Sequence, residues 1–134
     1  MTHIQSAYVG NLRTKAVHVK SGTEIITDAP VDNHGKGEAF SPTDLVCAAL
    51  GSCMSTLMGI NANKHGIQLP LFSYETEKIM SANPRKISKV RIHFTFEPNS
   101  LTEAEKSILE EAARTCPVAL SLHPDIVQEV SFDF

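Results

Sequence analysis

A long uncharged helical segment between residues 41 and 66 constrains this chain more than any other feature. Ser41 is a favourable N-cap, Pro42 suits the first helical position, and Asp44 follows the cap by three residues. The helical pattern runs to Lys64 and His65 and is expected to end at Gly66. The predicted helix would be roughly 35 Å long.

The composition of this segment predicts that the helix is buried. Residues 45–60 carry no charge and include many small side chains. A helix that is apolar all round is normally buried all round. A membrane span is the competing interpretation, but the run is shorter than about 18 residues and contains Ser, Thr and Gly. A buried central helix is therefore favoured, and in so short a chain a second copy of the protein could surround it.

The remaining segments indicate a single domain over residues 1–134 of the α+β class, because strands and helices are grouped rather than alternating. Residues 87–97 alternate cleanly between apolar and polar side chains, which is typical of a half-buried strand. Thr102 to Glu105 form a capping box, and Pro117 forces a break before a last short helix. The predicted strands are 3–10, 15–28, 69–80, 87–97 and 127–134, and the later helices are 102–114 and 117–122.

Charge and composition exclude several classes of partner. The net charge is −3, and no basic run suggests binding to nucleic acid or to a membrane surface. The first ten residues lack the features of a signal peptide, so a cytoplasmic location is expected. The six histidines show no metal-binding spacing and no phosphate-binding glycine motif is present, so neither a metal nor a cofactor is expected.

Two cysteines are candidates for chemistry. Cys53 lies near the middle of the long helix, and Cys116 occupies the predicted N-cap of the last short helix, where free amides would stabilise a thiolate. Taken alone, each also has a purely structural interpretation. Cys53 could be a small apolar core residue, and Cys116 could simply replace a more common helix cap. Cys47 precedes Cys53 by six residues, about 240° around the helix, and is assigned to core packing.

Together, two such thiols are consistent with peroxide reduction. A thiolate that attacks a peroxide becomes a sulfenic acid, which over-oxidises unless a second thiol condenses with it. An external dithiol then reduces the resulting disulfide. A cation is needed to stabilise the attacking thiolate, and Arg13 in the N-terminal strands is the candidate, although a solvated strand charge explains it equally well.

Two motifs resemble those of the OsmC/Ohr family. Ser41-Pro42-Thr43-Asp44-Leu45 followed by Ala48-Ala49-Leu50-Gly51-Ser52-Cys53 is similar to the segment leading to the family's peroxidatic cysteine, and Cys116-Pro117-Val118 resembles the segment with its resolving cysteine. The resemblance implies an intertwined homodimer, with two long central helices wrapped by antiparallel-rich sheets. It also implies reduction of organic hydroperoxides, with a lipoyl-type dithiol as reductant.

One position departs from the family pattern. Family peroxidases carry a glutamate ten residues before the first cysteine, where it pairs with an arginine. Here that position is Thr43, and the acid is displaced by one residue to Asp44. The chain therefore resembles the OsmC-like branch, and the catalytic set implied is Cys53, Cys116, Arg13 and Asp44.

Two other functions stay open on the sequence. The chain could be a non-enzymatic dimer that senses oxidation or holds an apolar small molecule, since the expected glutamate is missing. It could also carry out another thiol-transfer reaction at Cys53.

Overall fold

The computed structural model describes all residues from 1 to 134, which form two compact units, residues 1–46 and 47–134. The first unit contains a three-stranded antiparallel sheet in the order β1-β2-β3, followed by a single 3-10 turn. Its elements are β1 (Ile4–Gly10), β2 (Arg13–His18), β3 (Glu24–Asp28) and the 3-10 turn (Val31–Asn33).

The long helix α1 (Pro42–His65) has the bounds that the sequence predicts. At its start, the Ser41 N–H donates to Asp44 Oδ2 over 3.0 Å, and the Asp44 N–H donates to Ser41 Oγ over 3.1 Å. These reciprocal bonds satisfy two amide groups that the helix itself cannot pair. At its end, Gly66 has a φ of +65°, and the Ile67 N–H returns to the Ala62 carbonyl over 2.9 Å.

The second unit contains the other sheet and the two shorter helices. Strand β5 lies between β4, which is antiparallel to it, and β6, which is parallel to it. With α1, the chain has three helices and two small sheets, which confirms the predicted α+β class. The further elements are β4 (Phe72–Ser81), β5 (Lys86–Phe96), α2 (Glu103–Arg114), α3 (Pro117–Ser121) and β6 (Val127–Asp133).

The core of the second unit lies between one face of its sheet and one face of α1. The alternation in β5 is confirmed, since Val90, Ile92 and Phe94 are fully buried. Phe132 of β6 stacks on Phe94 with ring centroids 5.2 Å apart. From α1 the buried residues follow one helical stripe, as expected for a helix that rests on a sheet: Cys47, Leu50, Gly51, Met54, Met58 and Ala62.

The opposite face of α1 is exposed in a single chain. One copy of the protein therefore does not bury the helix on every side. An 18-residue window of α1 has a mean hydropathy of 1.5 and is only 33% buried. This helix is long and apolar enough to cross a membrane, a test that the core helix of a soluble protein also passes. The exposed stripe carries no charge and consists of Ala49, Ser52, Thr56, Ile60 and Asn63.

Candidate active site

The structure brings Cys53 and Cys116 together. Cys53 is half-buried on α1, and Cys116 is fully buried at the start of α3. The two side chains are close enough for Cys53 to affect the pKa of Cys116, and Cys53 packs against the core cluster to which Cys116 belongs. No disulfide joins any of the three cysteines. Spacing in the sequence could not show this contact, because 63 residues separate the two positions.

Cys116 is the N-cap of α3, as the sequence predicts, and its Sγ accepts the Ala119 N–H over 3.4 Å. That bond lowers the pKa of the Cys116 thiol, but burial has the larger effect and raises the pKa above its ordinary value. The neighbouring Cys53 side chain raises the pKa further. The expectation that the helix start makes Cys116 a thiolate is therefore wrong: burial outweighs the amide.

The raised pKa of Cys116, caused first by burial, favours the protonated form of this thiol. Cys53 is the less buried of the two cysteines and is therefore the more accessible to a reactant. The pair can thus supply one nucleophilic sulfur and one neighbouring thiol that still holds its proton.

Cys47 is a buried residue of α1. Only 3% of its surface is exposed, and it packs within the core cluster of the second unit. The prediction that Cys47 serves packing is confirmed by this burial.

Arg13 lies in a cluster of acids in the first unit. Its Nε donates to Asp28 Oδ1 over 2.7 Å, and its Nη2 donates to Asp28 Oδ2 over 2.8 Å. Nη2 also reaches Glu38 Oε2 at 3.1 Å. The Arg13 hydrogen bonds lower the pKa of the Asp28 carboxyl below its ordinary value, and the Asp28 carboxylate in turn raises the pKa of the guanidinium. Arg13 is thus a fixed cation rather than a loose surface charge.

Asp28 and Glu38 are functional candidates that the sequence reasoning missed. Asp28 faces Arg13 across the β2–β3 pair, and Glu38 lies in the following loop, so neither shows a local motif with Arg13. Asp44, the predicted acid, lies in the helix cap, where its Oδ2 accepts the Ser41 N–H. Arg13 and the three acids belong to the first unit, and the two site cysteines belong to the second.

A groove follows α1 away from Cys53 within the second unit. Its volume is about 400 Å³, and it lies between α1 and α2. Leu57 begins it one helical turn after Cys53, and Thr115, next to Cys116, contributes to the other wall. Apolar side chains from both helices, including Ile108 and Ala112, line part of it. No group of three or more His, Cys, Asp or Glu side chains is arranged to hold a metal ion.

Comparison with known proteins gives a consistent result. The sequence model described as OsmC-like protein matches residues 35–131. A crystal structure from Psychrobacter arcticus 273-4, provisionally described as an osmotic stress induced and detoxification response protein, is 50% identical. Its TM-score is 0.92, and the match covers 98% of this chain and 96% of that one. No curated protein sequence matches significantly.

More distant structures share the fold. An organic hydroperoxide resistance protein, OsmC, from Legionella pneumophila has a TM-score of 0.78 at 19% identity, over 100% of this chain and 98% of that one. An organic hydroperoxide resistance protein from Elizabethkingia anophelis has a TM-score of 0.70 at 14% identity, over 99% and 96%. At these identities the likeness concerns the fold alone.

Proposed function

Because the chain belongs to the OsmC-like protein family, we propose that it is a cysteine-based peroxidase that reduces organic hydroperoxides. Cys53 is the attacking thiolate, and Cys116 is the resolving thiol. Solved proteins of this fold include organic hydroperoxide resistance proteins, which supports the choice of substrate class.

The observation that carries the proposal is the proximity of the two cysteine side chains, which pack in the same core region. A resolving cysteine must reach the sulfenic acid without a large rearrangement, and Cys116 is already in contact with Cys53. Its raised pKa, caused first by burial, keeps the proton on Cys116 until Cys53 has reacted. The unequal burial of the two sulfurs therefore supports their separate roles.

The proposed cycle balances in three steps. The Cys53 thiolate attacks the terminal oxygen of the hydroperoxide, the O–O bond breaks, and a proton completes the alcohol product, leaving a sulfenic acid. The Cys116 sulfur then attacks the Cys53 sulfur, forms a disulfide and releases water. A dithiol, of the lipoyl type in this proposal, reduces the disulfide by exchange and becomes a cyclic disulfide.

Two polar residues complete the proposed site. Arg13 is assigned to stabilise the Cys53 thiolate and the charge that develops on the leaving oxygen, a role that suits a permanently charged guanidinium. Asp44 is assigned to fix the start of α1, since its carboxylate accepts the Ser41 N–H. A pairing of Asp44 with Arg13 stays a prediction.

We also propose that the protein is a homodimer. The exposed stripe of α1 is uncharged, and small side chains such as Ala49 and Ser52 allow two helices to approach closely. The first unit adds further exposed apolar side chains, since Ile4 is 62% and Tyr8 66% exposed. Exposed apolar surface of this extent is typical of an interface.

The groove between α1 and α2 suits the organic part of a substrate. Leu57 and Ile108 offer apolar contact, and Asn61 and His65 place polar groups further along the helix from Cys53. A peroxide group at Cys53 would leave an attached carbon chain room in this direction.

A direct test is turnover of cumene hydroperoxide with dihydrolipoamide. The unmodified protein should consume both, and Cys53→Ser should abolish turnover because the attacking sulfur is lost. Cys47→Ser is the matched control, since that thiol is buried in the core, and it should retain activity. Turnover that survives in Cys53→Ser would refute the proposal.

A further inference from the structure

We propose that the groove between α1 and α2 selects organic hydroperoxides whose carbon skeleton carries a hydrogen-bond donor, above all an ammonium group. Glu111 is the residue that sets this preference. The inference rests on the peroxidase function proposed above and names the class of substrate for it. All the residues that line the groove belong to the second unit, and so do both site cysteines.

The groove begins beside the two cysteines. Leu57 follows Cys53 by four residues and therefore lies on the same side of α1. Thr115 directly precedes Cys116 and contributes to the opposite wall. The volume of about 400 Å³ is within the range of small-molecule sites. A substrate whose peroxide group lies at Cys53 would therefore extend its carbon skeleton between these walls.

Three polar side chains of the groove use their donors on their own helix. Asn61 Nδ2 donates to the Leu57 carbonyl over 2.9 Å, and His65 Nδ1 donates to the Asn61 carbonyl over 2.9 Å. At the end of α2, Thr115 Oγ1 donates to the Glu111 carbonyl over 2.7 Å. Each partner is a carbonyl oxygen, which can only accept, so the direction of all three bonds is fixed.

The groups that remain for a ligand are therefore mainly acceptors. Asn61 keeps its Oδ1, Thr115 keeps the lone pairs of its hydroxyl, and a neutral His65 keeps Nε2. The Glu111 carboxylate accepts only, and it makes no hydrogen bond or ion pair within the chain. With His65 neutral, Ser107 is the one side chain of the groove with a donor still to offer.

The charge of the groove favours the same ligands. Glu111 is the one lining residue with a permanent charge, since the other ionisable lining residue is His65. Arg114 forms no ion pair with Glu111, because its Nη2 donates to the Val130 carbonyl over 3.1 Å and its guanidinium lies over the Phe132 ring. An ammonium group would be attracted by Glu111 and brings three donors, whereas a carboxylate would be repelled and brings none.

The test compares three hydroperoxides that share one skeleton: cumene hydroperoxide and its para-aminomethyl and para-carboxy derivatives. Dihydrolipoamide is the reductant, and kcat/KM is measured for each. We expect the highest value for the ammonium compound and the lowest for the carboxylate. Because Glu111 is exposed, each step should be about two- to fivefold, as for other exposed charge pairs.

Glu111→Gln keeps the shape of the side chain and removes its charge. The ratio of kcat/KM for the ammonium compound to that for the carboxylate should fall about fivefold. Glu110→Gln is the matched control, because it removes the same charge from the adjacent residue of α2, which does not line the groove. This control should leave the ratio unchanged. Equal falls in both variants would show an effect of net charge alone and would overturn the inference.

Thiol–disulfide exchange tests the groove without peroxidase turnover. In a Cys116→Ser background, the Cys53 thiolate attacks one sulfur of cystamine or of dithiodiglycolate. A mixed disulfide forms, and the other half of the reagent leaves as a thiolate. Cystamine carries ammonium groups and dithiodiglycolate carries carboxylates, so Glu111→Gln should lower the ratio of the two rates. The change in this ratio is compared because the two reagents differ in intrinsic reactivity.

The outcomes distinguish the inference from the proposed function. Absence of turnover with every hydroperoxide, together with an exchange ratio that depends on Glu111, would refute the peroxidase function and support the charge preference of the groove. Turnover of all three compounds with a ratio that Glu111→Gln does not change would overturn the inference and leave the peroxidase function intact. A preference of the unmodified protein for the carboxylate would also overturn the inference.

Discussion

The ring of Tyr74 in β4 lies directly against Gly51 in α1, so that a Cβ atom at residue 51 would lie 2.6 Å from Tyr74 Cε2. The ring has little freedom to yield, because its centroid is 5.1 Å from that of Phe94 and 6.4 Å from that of Phe72. Gly51 is therefore a point of very close approach between α1 and the sheet of the second unit, two residues before the proposed nucleophile.

Gly51→Ala should destabilise the protein despite the higher helix propensity of alanine. Overpacking costs about 1–3 kcal/mol, and alanine recovers about 1 kcal/mol in a helix. Gly59→Ala is the matched control on the same helix, since a Cβ there meets nothing within 4 Å in one chain. Urea denaturation should give Gly51→Ala the lower free energy of unfolding. Equal values for the two variants would contradict the close contact, and Tyr74→Ala should relieve the loss.

Cys116→Ser should leave Cys53 able to react once but unable to form the disulfide. With excess hydroperoxide, Cys53 should proceed to the sulfinic and sulfonic acids, which mass spectrometry of the intact protein detects. The unmodified chain should instead lose two hydrogens on forming the Cys53–Cys116 disulfide. Disulfide formation by Cys47 in the Cys116→Ser variant would contradict the assignment of Cys47 to the core.

The Asp28–Arg13 pair should make stability depend on pH in the acid range. The pKa of Asp28 is lowered in the folded chain, chiefly by its hydrogen bond with Arg13. The contribution is therefore fully present above the ordinary aspartate pKa of about 3.9 and is lost as the pH falls through the lower folded value. The difference in free energy of unfolding between the unmodified chain and Asp28→Asn should be largest near pH 7. A difference that stays constant down to pH 2 would contradict the lowered pKa.

Thr56→Lys should break the proposed dimer. This residue lies on the exposed uncharged stripe of α1, and two copies would have to bury the new ammonium group at a high desolvation cost. Thr95→Lys is the matched control on the exposed face of β5. Sedimentation should show a monomer only for Thr56→Lys. A dimer in both variants would show that the interface does not include this stripe.

The features that the sequence could predict are those with local causes. The bounds of α1 follow from Ser41, Pro42 and Gly66, which act on the backbone next to them. The buried face of β5 follows from the alternation of its side chains, because successive residues point to opposite faces. The cap at Cys116 follows from Pro117 beside it.

The features that the sequence could not predict depend on pairing across the chain. Arg13 finds its acids 15 and 25 residues away, and only the β2–β3 register and the closed loop after β3 bring them together. The protonation state of Cys116 could not be predicted from the sequence for a related reason. The favourable amide is local and visible in the sequence, whereas the burial that outweighs it comes from the packed core around the thiol.

One sulfur atom both caps α3 and, in the proposed cycle, closes the disulfide. Cysteine is a poorer cap than serine, threonine or aspartate. A cysteine at residue 116 therefore gives α3 a weaker start than serine would, but it supplies a reactive thiol. The substitution that removes the chemistry, Cys116→Ser, is also one that suits the local structure. A lineage that lost the proposed resolving thiol at this position would keep a capped α3, and stability alone would give no sign of the loss.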